Sequence, residues 1–142
     1  MTIHIIKLVV GIDSLEAFAE LQKRQTMDYN GTPAVPCWTR YAPKRAEEIL
    51  STGGSIYRVV KNKIVCRHKI LGFEKVEIEG KSQCMIMQDA RMIQTLSKPR
   101  RPFQGWRYLE PEKAPADRGA YSAGDEDIPE DIEQGLRDAG LL

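Results

Sequence analysis

The sequence is poor in the residues that most often carry chemistry: two histidines and three cysteines in 142 residues. Cys37, Cys66 and Cys84 are odd in number, widely spaced and each set in a predicted strand. That arrangement is neither a disulfide framework nor a zinc-ligand pair, so reduced thiols and a cytoplasmic location are expected. No apolar run approaches the ~18 residues of a membrane span. The longest, Ile3–Val10, is interrupted by His4 and Lys7 and lacks the basic start and cleavage site of a signal peptide. Internal repeats and low-complexity tracts are missing. So are G-x-S-x-G, H-E-x-x-H, a dinucleotide fingerprint and a phosphate-cradling glycine loop. Gly53-Gly54 has no Lys-Ser/Thr after it, which makes it a helix terminator. The sequence therefore predicts no catalytic residue, no metal, no cofactor and no membrane partner.

What is present is charge, unevenly placed. The formal net charge is +1, from 21 Lys+Arg against 20 Asp+Glu. Residues 1–110 carry +7 and residues 111–142 carry −6. Between Arg40 and Arg107 alone the excess is +9. A field of that size raises encounter rates with a polyanion.

The hydropathy pattern predicts a buried strand at Ile3–Val10, where β-branched residues dominate a short apolar run. Asp13 and Glu16 have capping-box spacing before a helix over 14–25, with Leu15, Phe18 and Leu21 on one face. Residues 29–33 read as a loop, and Val35–Tyr41 as a second strand. Pro43 suits the first turn of a helix through Ile49 that stops at Gly53-Gly54. Ser55–Val60 and Ile64–Leu71 form a hairpin around Lys61-Asn62-Lys63, with Ile64, Cys66, His68 and Ile70 on one face. Phe73–Glu79 and Ser82–Gln88 follow as strands. The second is apolar on both faces and so is expected centrally. Met92–Leu96 and Trp106–Leu109 complete a core over 1–110. Beyond it come an acidic loop at 111–127 and a C-terminal amphipathic helix within 128–142, too short to persist undocked. The fold class is α+β, a small, largely antiparallel curved sheet or β-barrel with flanking helices.

The densest chemical feature is Lys98-Pro99-Arg100-Arg101-Pro102-Phe103-Gln104-Gly105-Trp106-Arg107-Tyr108. Arginine forks pair with phosphates and aromatic faces stack on unpaired bases, so this interleaving suits a single-stranded nucleic acid. Its structural alternative is an irregular crossover in which Phe103 and Trp106 anchor the core. Arg40, Lys44, Arg45, Arg58, Lys61, Lys63, Arg67 and Lys69 form a second basic group, which equally describes a solvated strand face. Cys66 and His68 lie two apart on one strand and could meet a common ligand, although core packing accounts for both. Met85, Met87 and Met92 read as packing.

Four blocks, Lys44-Arg45-Ala46, Gly53 to Tyr57, Arg67 to Gly72 and Arg100 to Tyr108, resemble a small alphaproteobacterial family with a domain of unknown function of about this length. That resemblance covers nearly the whole chain and implies no activity. Residues 44–80 are also similar to the core of PUA-like domains of the ASCH and EVE type: Arg45-Ala46, a short helix, a glycine break, then a strand pair. Here Gly53-Gly54-Ser55 stands in place of their Lys-Gly-Asp-type turn. This second resemblance implies a small curved β-barrel that binds RNA or a modified base in an aromatic-lined cleft, with Trp38, Tyr57 and Trp106 lining it.

These readings converge on a non-catalytic RNA- or nucleotide-binding module. Its expected ligand contacts are Trp38, Arg40, Lys44, Arg45, Tyr57, Arg58, Arg67, Arg100, Arg101, Trp106 and Arg107. Two alternatives stay open. One is a small enzyme acting on a nucleotide-like anion through Cys66 or His68. The other is an adaptor whose acidic C-terminal segment docks on a protein partner or on its own basic surface.

Overall fold

The computed structural model describes residues 1–121. In chain order these form β1 (His4–Leu8), α1 (Leu15–Gln25), β2 (Met27–Tyr29), β3 (Thr32–Thr39), α2 (Ala46–Ser51), β4 (Ser55–Val60), β5 (Lys63–Ile78), β6 (Lys81–Asp89), β7 (Ile93–Pro99), β8 (Trp106–Leu109), a 3₁₀ turn (Pro111–Lys113) and β9 (Asp117–Ala120). No described helix is long and apolar enough to cross a membrane.

Three two-residue turns set the strand registers. Asn30-Gly31, Lys61-Asn62 and Glu79-Gly80 all take positive φ, the geometry whose twist matches a tight antiparallel hairpin. The first turns the expected 29–33 loop into a hairpin, with Tyr29 paired to Thr32. The helix over 14–25 forms as expected, but its cap is Ser14 rather than Asp13. The Ser14 hydroxyl accepts from the Ala17 N–H at 3.1 Å. α2 ends where Gly53 turns to φ +73° and the Gly54 N–H reaches back to the Ile49 carbonyl.

The strands lie in the order β2-β3-β6-β5-β4-β1-β8, with β7 beside the first half of β5 and β9 beside β7. Only β1–β4 is parallel; the other seven pairings are antiparallel. The architecture is therefore α+β, on a mixed sheet. β5 is a single strand where two were expected. It pairs with β4 and β7 through its first half and with β6 through its second. A register shift between Ile70 and Gly72 lets it bend from one half of the sheet into the other. The sheet curves but stays open among the described residues, since β2 and β8 end it unpaired to each other.

That curvature encloses the main core, in which Ile5 and Ile56 meet Cys37, Cys84 and Ile86 from the other half, with Ile49 of α2 closing one end. As expected, β6 is internal, between β3 and β5. A second core lies under α1, where Phe18 and Leu15 meet Val9, Val60 and Cys66. The third backs the sheet and holds Ile6, Tyr57, Val59, Ile64 and Leu109.

Two expectations change here. A bulge at Val65 shifts the register between Arg58 and Val59, so Ile64 and Cys66 face opposite sides and join different cores. Alternation read from sequence counts residues and cannot see an inserted one. The acidic loop is likewise interrupted: β9 adds to β7 and extends the sheet to Ala120. The predicted C-terminal helix lies outside the described residues.

Candidate functional site

The predicted contact residues fall into four places. The first is the segment leaving β3. Trp38 (43% exposed) and Tyr41 (69% exposed) line a groove of about 640 Å³ with Arg40 and Lys81. An adjoining groove of about 470 Å³ on the other side of Arg40-Tyr41 adds Phe73, Glu74 and Lys75. The Arg40 guanidinium lies 5.5 Å from the Tyr41 ring centroid. Alternation puts Trp38 outward because its neighbour Cys37 is committed to the core.

The same segment continues through Lys44 to Arg45 and meets β8. The Arg45 N–H donates to the Tyr108 hydroxyl at 3.2 Å, and its guanidinium lies 5.8 Å from that ring. Trp106 packs edge-on to Tyr108 at 5.0 Å. These contacts link the β3–α2 connection to β8, where Trp106 itself is partly buried against the main core, as the core-anchor alternative expects. Arg45 also holds Glu48 at 2.9 Å. That contact raises the Arg45 pKa and lowers that of Glu48.

On the opposite face of β8, Phe103 sits between Arg100 (5.1 Å) and Arg107 (5.5 Å), with Arg101 exposed nearby. Arg107 spends two of its bonds on the carbonyls of Gln104 and Trp106. The third place is Arg67, held by Asp117 of β9 and by the Ser55 hydroxyl at 2.8 Å. The Asp117 hydrogen bond raises its pKa, and the residue is already engaged by the protein itself. The fourth is interior. Tyr57 is buried edge-on to His4, 5.1 Å between centroids, and does not line a cleft.

Arg58 is also interior, only 7% exposed. Its Nη1 donates to Gln88 Oε1 at 3.3 Å and lies 3.5 Å from Cys37 Sγ, while its Nε has no hydrogen-bond partner among the described residues. Gln88 is held in turn by the Val35 carbonyl at 3.2 Å. Phe18 lies over the guanidinium at 5.1 Å. No carboxylate pairs with Arg58 among the described residues. A buried unpaired charge is costly, so this arginine needs an explanation.

Cys66 and His68 do not form a reactive pair. Burial pushes the Cys66 thiol up to about 12, far from the thiolate a nucleophile needs. Burial pushes His68 down to about 4, against the opposing pull of its Asp89 hydrogen bond. A neutral ring must carry its proton on Nδ1 to bond the Asp89 carbonyl at 2.8 Å, which leaves Nε2 a bare lone pair. Among the described residues no three His, Cys, Asp or Glu side chains gather as a metal-ligand set.

Sequence reasoning gives no signal for Tyr41, Lys75 and Lys81, because lysines on a hairpin look like edge protection and Tyr41 reads as the last residue of a strand that in fact ends at Thr39. Lys7 was visible only as the cation interrupting an apolar run.

The family model of the protein of unknown function DUF1489 matches residues 5–142. This chain belongs to that family. The match spans the core, β8 and the acidic C-terminal segment alike, as the four-block resemblance implied. No curated protein and no solved structure matches the chain. With an open sheet and no matching structure, the DUF1489 chain gives the PUA-like relationship no support.

Proposed function

We propose that this protein is a non-catalytic module binding single-stranded RNA or a nucleotide-like phosphate ligand. The observation that carries the reading is the groove in which exposed Trp38 and Tyr41 stand beside Arg40 and Lys81. Its volume of about 640 Å³ lies in the usual range for ligand sites. Exposed aromatic faces stack bases with little regard to sequence, and the flanking cations neutralise phosphates. Arg45 and the exposed Tyr108, in contact with each other, supply a further cation and aromatic ring at β8 for a longer strand to reach. Among the described residues Arg40, Arg100, Arg101 and Arg107 have no carboxylate partner, so their charge is available.

The test is a titration of the full chain with a fluorescent single-stranded RNA across salt. Binding through Z phosphates predicts a log–log slope near −0.7Z. The double variant Trp38→Ala, Tyr41→Ala should weaken binding by about 10-fold or more, since each stacked base contributes ~1–3 kcal/mol. No binding at about 50 mM salt, where phosphate contacts are strongest, would overturn the reading.

A further inference from the structure

We propose that the gap between β1, β3 and α1 is a binding site for a small organic carboxylate, gripped by Arg58 and Lys7. This site is separate from the Trp38–Tyr41 groove and takes a different ligand.

The gap is a cavity of about 200 Å³. At roughly 30 Å³ per water it has room for a fragment, not a nucleotide. Its polar lining is Lys7, Gln22, Gln25, Arg58 and Gln88, two cations and three amides without a carboxylate. The rest is apolar and includes Val9, Ile12, Phe18 and Leu21.

Lys7 and Arg58 are direct partners across the parallel β1–β4 ladder, so their side chains leave the sheet on the same face. Like charges set opposite each other destabilise a sheet. Neither has a carboxylate partner among the described residues. An anion bound between them removes the repulsion and supplies the missing counter-charge.

The arginine also has donors to spare. Gln88 and Cys37 occupy Nη1, while the Nε–Nη2 edge makes no hydrogen bond to the described protein. That edge presents two parallel N–H groups, the fork that takes both oxygens of a planar carboxylate. Phe18 covers the guanidinium face at 5.1 Å, so a ligand has to approach in the plane of the fork. Gln22, whose Oε1 is a second buried polar atom without a partner among the described residues, also lines the cavity. The apolar lining favours a ligand with a short hydrocarbon or aromatic body over inorganic phosphate.

The experiment titrates the full chain with benzoate, butyrate, acetate and inorganic phosphate at about 10 mM, roughly tenfold above a Kd of ~1 mM. Thermal unfolding and backbone amide NMR shifts are the readouts. Benzoate and butyrate should raise Tm more than acetate or phosphate and shift the amides of Lys7, Phe18 and Arg58. Arg58→Gln should abolish those shifts. Lys7→Glu, which places a carboxylate opposite Arg58, should raise Tm without ligand and lose benzoate binding. That second variant decides the matter if Arg58→Gln fails to fold. A lower Tm for Lys7→Glu, benzoate affinity within twofold of wild type in either variant, or tighter binding of phosphate than of benzoate would overturn the proposal.

Discussion

Arg67 and Asp117 form a two-pronged ion pair, Nε to Oδ1 at 2.9 Å and Nη2 to Oδ2 at 2.8 Å. The two residues lie 50 positions apart, on β5 and β9. The contact fastens the start of the acidic C-terminal region to the basic sheet, and it uses an arginine that sequence reading assigned to ligand. Arg58, which faces Cys66 one place along the same ladder from the Tyr57–Arg67 pair, has no such partner among the described residues.

Replacing Asp117 by Asn should therefore lower stability modestly. Both side chains keep some solvent contact, 22% and 41%, so the pair is worth no more than about 1 kcal/mol. A double-mutant cycle with Arg67→Gln in urea should show that coupling at low salt and its loss at high salt.

Residues 122–142 hold seven acidic side chains and one basic one. Removing them while keeping β9 should tighten RNA binding at low salt, because an attached polyanion competes with phosphate for the same cations. The gain should vanish at about 0.5 M salt, where the Debye length is only a few ångströms. An unchanged affinity at low salt in a still-folded truncation would assign the segment another role.

Two glycines are held by close approach, with different consequences. A Cβ on Gly54 would collide with the Ile3 carbonyl oxygen and with Ile49, neither free to withdraw. Gly54→Ala should cost about 2–4 kcal/mol in chemical denaturation, as overpacking against backbone does. A Cβ on Gly72 would meet the hydroxyl end of Tyr29, which is anchored to Glu74 at 2.6 Å. That ring can swing outward, so Gly72→Ala should cost only ~1 kcal/mol and free the phenol. The Tyr29–Glu74 hydrogen bond is the main cause holding the Tyr29 pKa above its usual value. A fall in the phenol's titration midpoint would report the loss.

Acid should destabilise the fold in a defined window. His68 is neutral in the folded protein, with its pKa pushed down to about 4 by burial. His4 is shifted the same way, first by burial and then by the Arg67 charge, and its Nδ1 accepts the Ser55 N–H at 2.9 Å. The unfolded chain takes up these protons near pH 6.5 and the folded chain does not. Stability is thus complete above about pH 6.5 and falls as pH drops toward 4, by about 3 kcal/mol from His68 alone. His68→Gln should flatten that slope in urea titrations between those pH values.

Much of the local structure was legible because short-range physics decides it. Asn30-Gly31, Gly53 and the apolar period of Leu15 and Phe18 act within a few residues of themselves. Pro43 does not start α2 as expected: it lies in the turn before it, its carbonyl accepting the Ala46 N–H, and Arg45 is the cap. The bulge at Val65 and the continuation of β5 through Leu71-Gly72 were not legible, since both depend on which partner strand lies alongside. The basic-aromatic blocks were visible as composition, but which of their members touch was not. The β3–α2 connection reaches β8 through the Arg45 N–H on the Tyr108 hydroxyl, while Arg58 and Arg67 turn to opposite faces of the sheet.

By itself the sequence determined the fold class, the family and the split between a basic body and an acidic end. These follow from composition, periodicity and turn chemistry, which are properties of neighbours along the chain. Only the tertiary structure decided which cations are free. It set Lys7 beside Arg58 with no carboxylate partner among the described residues, and it gave Arg67 to Asp117. The physical reason is that the state of a charge depends on the partners and solvent around it in space, and residues 50 apart in sequence can supply either.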